Sequence, residues 1–323
     1  VKQGKRQVGS TFKPFVYATA IMNLGMTPCS TVSNATYTKG DWVVEGKGGN
    51  LTLRDALAHS KHPVAVRLIE SVSPKKVIQL ARDLGVTEEM PNEYAIALGS
   101  TDITIYEMLG AYSSFANFGN YIKPEMVWRI EDANGRVIKE VKNETKEVMN
   151  EMYAYTMIDL MKGVTRFGTA SGELRRMGIP ETVEIAGKTG TTQNNSDGWF
   201  MGITPNLATG VWVGWEDRAT HFFSTGEGQG AKMALPIWGI FMKKVWADKE
   251  LGITPDDKFA KPSNWTGDCA DLQGLGGYGD DGGLQTIDQI KNPKPKDNQP
   301  KNNKPKEENL NENLNKDEVD FNQ

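Results

Sequence analysis

Residues 186–215 read AGKTGTTQNNSDGWFMGITPNLATGVWVGW, and this stretch decides the fold. Trp199–Ile203 and Thr209–Trp215 are short runs rich in aromatic and β-branched residues, so both are expected strands. The Pro–Asn pair at 205–206 joins them as a turn. Val183–Ala186 is a shorter strand candidate leading into Gly187–Thr191. Three successive strands with short connections predict an antiparallel meander. A helix is expected next, at about 231–247, with Leu235, Ile237, Trp238, Phe241, Met242 and Val245 on an apolar side that packs on the sheet. Pro236 falls in its first turns or marks a break.

Upstream the pattern is helical. Ser10 through about Leu24 offers Phe12, Phe15, Val16 and Ile21 for burial. Thr52 followed by Asp55 is a capping-box variant, starting a helix that reaches about His59. Pro63 fits the first position of the next helix, which runs to about Val72, so Ser60, Lys61 and His62 fall between two helices. Further helices are predicted at 74–84, 104–118 and 150–163. A short strand is predicted at Trp42–Glu45, and a strand pair at Val127–Glu131 and Val137–Val141. Residues 1–9 read as a basic loop. The expected fold class is α/β: an antiparallel sheet flanked by helices, plus an all-helical subdomain.

Composition narrows the function. The chain has 323 residues, of which 38% are hydrophobic and 24% charged, enough to build a core without metal or disulfide staples. A net charge of -4 gives no reason to expect nucleic acid as a partner. With only His59, His62, His221, Cys29 and Cys269, and no CxxC, no metal site is expected. The two cysteines read as separate thiols, with a disulfide open as the alternative in an oxidising compartment. No apolar run reaches the roughly 18 residues a membrane span needs, and no signal peptide is visible. The first functional-looking motif lies within ten residues of Val1, which reads as a fragment of a longer protein. Residues 1–265 are the expected folded domain. Residues 266–323, Gly/Asp-rich and then Asn/Lys/Pro/Glu-rich, are an expected disordered tail. Trp199, Trp212 and Trp215 read as packing residues, and Asp197 and Glu216 as solvated.

Two short motifs carry chemistry. Ser10-Thr11-Phe12-Lys13 is a Ser-x-x-Lys at a helix start, where residues three apart share a face. The Lys13 amine then lies near the Ser10 hydroxyl, and an amine with a lowered pKa can take the proton of a serine nucleophile. By itself the motif is weak and reads first as a capping serine with a solvated lysine. Lys188-Thr189-Gly190-Thr191 follows a short strand. Its lysine offers a fixed positive charge to a carboxylate, its hydroxyls offer hydrogen bonds, and Gly190 lets a ligand approach closely.

Together the motifs form the signature of serine penicillin-recognising enzymes. The stretches GSTFKPF (9–15), TLRDALAHSKHPVAVRL (52–68), FANFGNYIKP (115–124), GVTRFGTA (163–170) and AGKTGTTQNNSDGWFMGITP (186–205) resemble the transpeptidase domain of class A penicillin-binding proteins. The resemblance covers roughly residues 4–245, and it implies the penicillin-binding transpeptidase and serine β-lactamase type of fold. By that resemblance Ser10 is the nucleophile that attacks the D-Ala-D-Ala carbonyl of a peptidoglycan stem peptide, and Lys13 is its general base. Ser60 matches the serine of the family's Ser-x-Asn motif and relays the proton to the leaving group. Lys188, Thr189, Gly190 and Thr191 match the strand that receives the substrate carboxylate. The backbone N–H groups of Ser10 and Thr191 form the oxyanion hole. No metal or organic cofactor is implied. Stem peptides and penicillins are the implied ligands. The parent protein is implied to carry a glycosyltransferase domain and a membrane anchor at the outer face of the cytoplasmic membrane, with no membrane contact by this segment.

The sequence departs from the family twice. His62 stands where the family has Asn, and either replaces the amide or makes activity pH-sensitive. Only nine residues precede Ser10, where the family has sheet strands. The domain is therefore expected to lack its first strands, to expose a sheet edge, and to be less stable alone than a full domain. The implied reaction is D,D-transpeptidation through an acyl-enzyme. The rivals are a D,D-carboxypeptidase or β-lactamase, in which water resolves that intermediate, and a non-turnover β-lactam-sensing module.

Overall fold

In the computed structural model, residues 1–265 are described, and the tail expected at 266–323 lies outside them. Helix α1 (Lys13–Leu24) is the axis of the molecule. Every residue from Lys13 to Ile21 is buried, so all but the last turn of α1, where Asn23 is exposed, acts as a core helix. It follows a single 3-10 turn, Gly9–Phe12. It ends at Gly25, which takes the left-handed conformation (φ 63°) and donates to the Ile21 carbonyl. The other helices are α2 (Leu53–Ala58), α3 (His62–Val72), α4 (Pro74–Asp83), α5 (Ile105–Ala116), α6 (Glu151–Arg166), α7 (Ser171–Arg176), α8 (Thr225–Gly228), α9 (Gly230–Met233) and α10 (Leu235–Ala247). Helices α3, α4 and α6 pack on α1. Phe12, Phe15, Tyr112 and Phe115 stack along it in sequence, with ring centroids 5.0, 6.2 and 6.1 Å apart.

Polar side chains set the helix starts where the sequence places them. Thr52 caps α2 by accepting the Asp55 N–H. Thr104 and Glu107 form a reciprocal capping box on α5, and Asn150 caps α6.

The strands form small antiparallel units. β1 (Lys5–Gln7) pairs with β6 (Asp102–Thr104), β2 (Thr31–Ser33) with β5 (Asn50–Thr52), and β3 (Tyr37–Lys39) with β4 (Trp42–Val44). β7 (Asn120–Ile122) pairs with β10 (Thr145–Glu147), and β8 (Arg129–Glu131) with β9 (Val137–Glu140). The principal sheet is β11 (Ala186–Thr191), β12 (Asp197–Thr204) and β13 (Leu207–Gly214), in that spatial order. Its register sets Lys188 opposite Met201 and Thr191 opposite Gly198. Helix α5 packs against β12 and β13, and α10 also packs on these two strands.

Several details differ from expectation. Residues 5–7 are a strand rather than loop, because their partner lies far along the chain and leaves no local signal. β11 starts at Ala186, later than expected, because the Ile185 carbonyl accepts the Thr165 hydroxyl of α6 (2.5 Å) instead of joining the ladder. Lys188–Thr191 therefore lie within the strand, not after it. The helix expected at 231–247 divides at Ala234, where Pro236 in the first turn of α10 cannot donate back. On α10, Leu235, Trp238, Met242 and Val245 are buried, but Ile237 and Phe241 are exposed. Trp199 packs fully, whereas Trp215 is 63% exposed and is no packing residue. Cys29 is not a free thiol, and Cys269 lies outside the described residues. Among the described residues no helix is long and apolar enough to cross a membrane.

Candidate active site

The turn that carries Ser10 is held from several sides. Gly9 N–H donates to the Gly99 carbonyl (3.1 Å), Val8 N–H to the Thr101 carbonyl (3.2 Å), and the Tyr112 hydroxyl to the Thr11 carbonyl (2.6 Å). Trp199 Nε1 donates to the Gln7 carbonyl at 2.9 Å. Gly9 has φ +53°, and a Cβ there would come within 2.7 Å of the Thr191 carbonyl oxygen. A Cβ on Gly190 would lie 2.8 Å from both Thr11 Cγ2 and the Val8 carbonyl oxygen. These two glycines let β11 lie against the Ser10 turn, so Thr189, Thr191 and Ser10 share one cleft. Ser10 is 8% exposed, and its hydroxyl has no hydrogen-bond partner among the described residues. It opens on a cleft of about 570 Å³ that is also lined by Ser60, His62, Thr169, Thr189 and Thr191.

Behind the cleft two amines meet at one hydroxyl. Lys13 Nζ donates to the Ser60 carbonyl (2.6 Å) and to Ser60 Oγ (3.1 Å). Lys188 Nζ donates to the same Oγ (3.0 Å) and to the Thr189 carbonyl (3.0 Å). Ser60 presents both its oxygens because it occupies the left-handed region, φ 54°, between α2 and α3. The turn is fixed by Ser60 N–H to Leu57 O (3.1 Å) and Lys61 N–H to Ala56 O (2.9 Å). With both lone pairs engaged, the Ser60 proton is left to donate elsewhere.

Both lysines have zero exposure, and neither forms an ion pair among the described residues. Burial without a counter-ion favours the neutral amine. Burial, and then the charges of Lys188 and Lys61, hold Lys13 well below the ordinary lysine range. Burial brings Lys188 down to about 7. Lys188 faces Ser60 from inside the strand, with its amine on Ser60 Oγ.

His62 opens α3 with its ring on the cleft. The charge of Lys13, then burial, then Lys188 lower it to about 3. The imidazole is therefore neutral across the physiological range, offering one donor and one acceptor, as an amide does.

Hydroxyls finish the floor of the cleft. Thr189 and Thr169 share a hydrogen bond at 2.7 Å. Thr191 Oγ1 accepts the Gly230 N–H at 3.0 Å, which leaves its own proton free. Thr169 has no assigned role in the sequence reading, although it lies in the singled-out stretch 163–170. Asp197, expected in solvent, is 1% exposed. Its carboxylate accepts Thr192 (3.1 Å), Ser196 (2.9 Å) and Trp212 Nε1 (3.0 Å). These bonds anchor the 192–196 loop at the cleft rim, where Asn194 and Asn195 have φ 68° and 56°. Three neutral donors from separated positions leave no charge pattern by which the sequence could reveal this network. Among the described residues no cluster of His, Cys, Asp or Glu could hold a metal ion.

Residues 2–216 match the family model of the penicillin binding protein transpeptidase domain. Penicillin-binding protein 1A of Aquifex aeolicus is 36% identical over 266 residues, covering 78% of this chain and 35% of that protein. The protein of the same name from Neisseria meningitidis serogroup A is 34% identical over 266 residues, covering 77% and 32%. The chain thus spans about a third of the length of these curated relatives. Among solved structures, penicillin-binding protein 1A from Haemophilus influenzae superposes with a TM-score of 0.71 at 25% identity, covering 81% of this chain and 45% of that one. The PonA1 protein of Mycobacterium tuberculosis, solved in complex with penicillin V, gives a TM-score of 0.68 at 24% identity, covering 81% and 73%. With a shared fold, a match over most of the chain and both motifs on one cleft, this chain belongs to the penicillin-binding protein transpeptidase domain family.

Proposed function

We propose that this domain is a serine D,D-transpeptidase that crosslinks peptidoglycan stem peptides and is acylated by penicillins. One observation carries the reading: the unpartnered Ser10 hydroxyl opens on the same cleft as Ser60, whose hydroxyl links two buried amines with lowered pKa values. Neutral Lys13 takes the Ser10 proton as Oγ attacks the penultimate D-alanyl carbonyl carbon. The tetrahedral oxyanion lies between the N–H groups of Ser10 and Thr191, each worth about 3 kcal/mol to the transition state. Thr189 and Thr191 receive the terminal carboxylate, with Gly190 allowing close approach. As the C–N bond breaks, the Ser60 proton passes to the departing D-alanine nitrogen, and Lys13 or Lys188 restores it. An amine of a neighbouring stem peptide then attacks the acyl-enzyme, forms the new amide and returns the proton to Ser10. His62 contributes a neutral donor and acceptor beside Ser60. The relatives' names and length support a cell-envelope protein acting outside the cytoplasmic membrane.

Mass spectrometry after labelling with a fluorescent penicillin tests the nucleophile. Wild type should gain one adduct, and Ser10→Ala none. An adduct that persists in Ser10→Ala removes Ser10 from this role. Incubation with crosslinkable glycan strands tests the acceptor: crosslinked dimers support transpeptidation, while release of D-alanine alone makes the enzyme a carboxypeptidase.

A further inference from the structure

Two acids are buried among the described residues, Asp197 and Glu173. Asp197 braces the loop at the cleft rim. Glu173 lies on α7, away from the cleft lining, and its side chain is only 2% exposed. A carboxylate this deep is tolerated only when it is paired. Arg176 of the same helix donates Nε to both carboxylate oxygens, at 3.0 and 3.1 Å. The second partner comes from elsewhere: Lys232 Nζ of α9 donates to Oε2 at 3.0 Å. Arg176 first, against the opposing effect of burial, and then Lys232 hold Glu173 below the ordinary carboxylate range, so it stays ionised near neutrality.

Helix α9 needs an outside anchor. It has only four residues, preceded by extended Gln229 (ψ 147°) and followed by the break at Ala234. A helix this short does not sustain itself. Its first residue lies flush on the sheet: a Cβ on Gly230 would come 2.2 Å from the Gly190 carbonyl oxygen and 2.3 Å from that of Trp199. There the Gly230 N–H donates to Thr191 Oγ1 (3.0 Å), and the flanking Gln229 and Ala231 line the cleft. Lys232 stands two residues further on. Helix α7 in turn packs on α6 and α10. Glu173 is thus a fixed post, and Lys232 is the tie that holds α9 to it.

We propose that Glu173 is a positioning residue: through Lys232 it holds the Gly230 N–H on Thr191 and so aims the Thr191 hydroxyl proton at the ligand's carboxylate. The inference rests on the transpeptidase reading, in which Thr191 receives that carboxylate. A hydroxyl has one proton and two acceptor sites. With one acceptor site filled from α9, the proton is left to face the cleft. An anion gains most from this alignment, because a hydrogen bond to a charged acceptor is about twice as strong as a neutral one. The Thr191 backbone is held separately, by its pairing with Gly198 in the sheet. If α9 drifted, the hydroxyl would turn away while the Thr191 N–H stayed in place. The tie therefore acts on selectivity for an acidic ligand more than on attack by Ser10.

Two fluorescent penicillins test this, one with its ring carboxylate free and one with it as the methyl ester. The rate of Ser10 adduct formation is measured for each at subsaturating concentration. Wild type should favour the acid. In Glu173→Gln the acid should slow about fivefold and the ester less than about twofold, the change expected when one charge-assisted bond weakens. Lys232 is half-exposed, so Lys232→Met spares the core and should show the same loss. The double variant should lose no more than either alone, because both act through one tie. Arg176→Gln leaves the tie intact, so it should lower the melting temperature yet keep the preference for the acid. Equal slowing of acid and ester in Lys232→Met, or no change in either, overturns the positioning role. Additive loss in the double variant overturns it too, as does a loss of preference in Arg176→Gln that matches Glu173→Gln. A wild type that labels Ser10 without preferring the acid also overturns it, with the nucleophile left in place. If wild type takes no adduct at Ser10, the functional reading itself has failed.

Discussion

The Lys188 amine reaches Ser60 Oγ from within β11 at 3.0 Å, and it forms no ion pair among the described residues. On the proposed mechanism this hydroxyl is the proton conduit, so its removal should hurt chemistry more than binding. Ser60→Ala should slow penicillin acylation about 100-fold, the lower end for lost acid–base assistance, with little change in the penicillin concentration at half-maximal rate. Stopped-flow fluorescence decides this. A variant that reacts at the wild-type rate would remove Ser60 from the relay.

Buried neutral lysines tie stability to pH. Lys188 falls from its ordinary value of 10.5 to about 7 on folding. Its contribution is fully present above 10.5, is lost progressively as pH falls, and is spent below 7. Between those values wild type should gain about 1.4 kcal/mol per pH unit relative to Lys188→Met, measured by urea unfolding. Lys13 shifts in the same direction. An equal slope in the two proteins would mean that Lys188 stays charged in the fold.

His62, lowered to about 3, should not gate activity near neutrality. Its depressed value means that stability is full above the unfolded pKa of about 6.5 and declines as pH falls toward 3. The acylation rate should rise with pH along the lysine titration, with no separate step near 6.5. His62→Asn should react within about tenfold of wild type, with the same profile shape. A step in wild type that vanishes in His62→Asn would assign gating to the imidazole.

Close approach of the two motifs depends on Gly9. Gly9→Ala combines a left-handed φ of +53° with a Cβ 2.7 Å from the Thr191 oxygen. It should cost roughly 1–3 kcal/mol in stability and remove most acylation, because the two proposed oxyanion donors, the N–H groups of Ser10 and Thr191, would separate. Thermal melts and labelling rates read the two effects. A melt and rate both equal to wild type would show that the contact has no role.

Local signals carried much of the fold. The cap residues Thr52 and Asn150 and the positions of Pro63 and Pro205 mark boundaries by short-range chemistry, which a sequence displays directly. The motif residues Ser10, Lys13, Ser60 and Lys188 were legible as a set: Ser10 and Ser60 line one cleft, and Lys13 and Lys188 meet at the Ser60 hydroxyl. What the sequence concealed depends on distant partners. β1 exists only against residues 102–104, and Asp197 is buried only because Thr192, Ser196 and Trp212 close over it. The full burial of Lys188 was not legible, because a lysine in a polar motif gives no sign of its depth. Thr169 escaped notice because its partner Thr189 is supplied by another element.

Strand β13 pairs only with β12 among the described residues, leaving eight residues of backbone along an open margin. Nearby, Trp215 and the outer residues Ile237, Ile240 and Phe241 of α10 are exposed. Such a border is a template for joining another extended chain, including that of an identical molecule. The behaviour of the purified domain will therefore depend on concentration. Dilute samples should stay single, while crowded ones tend toward joined sheets and precipitation, and a lysine placed at the middle of β13 is the remedy the geometry recommends.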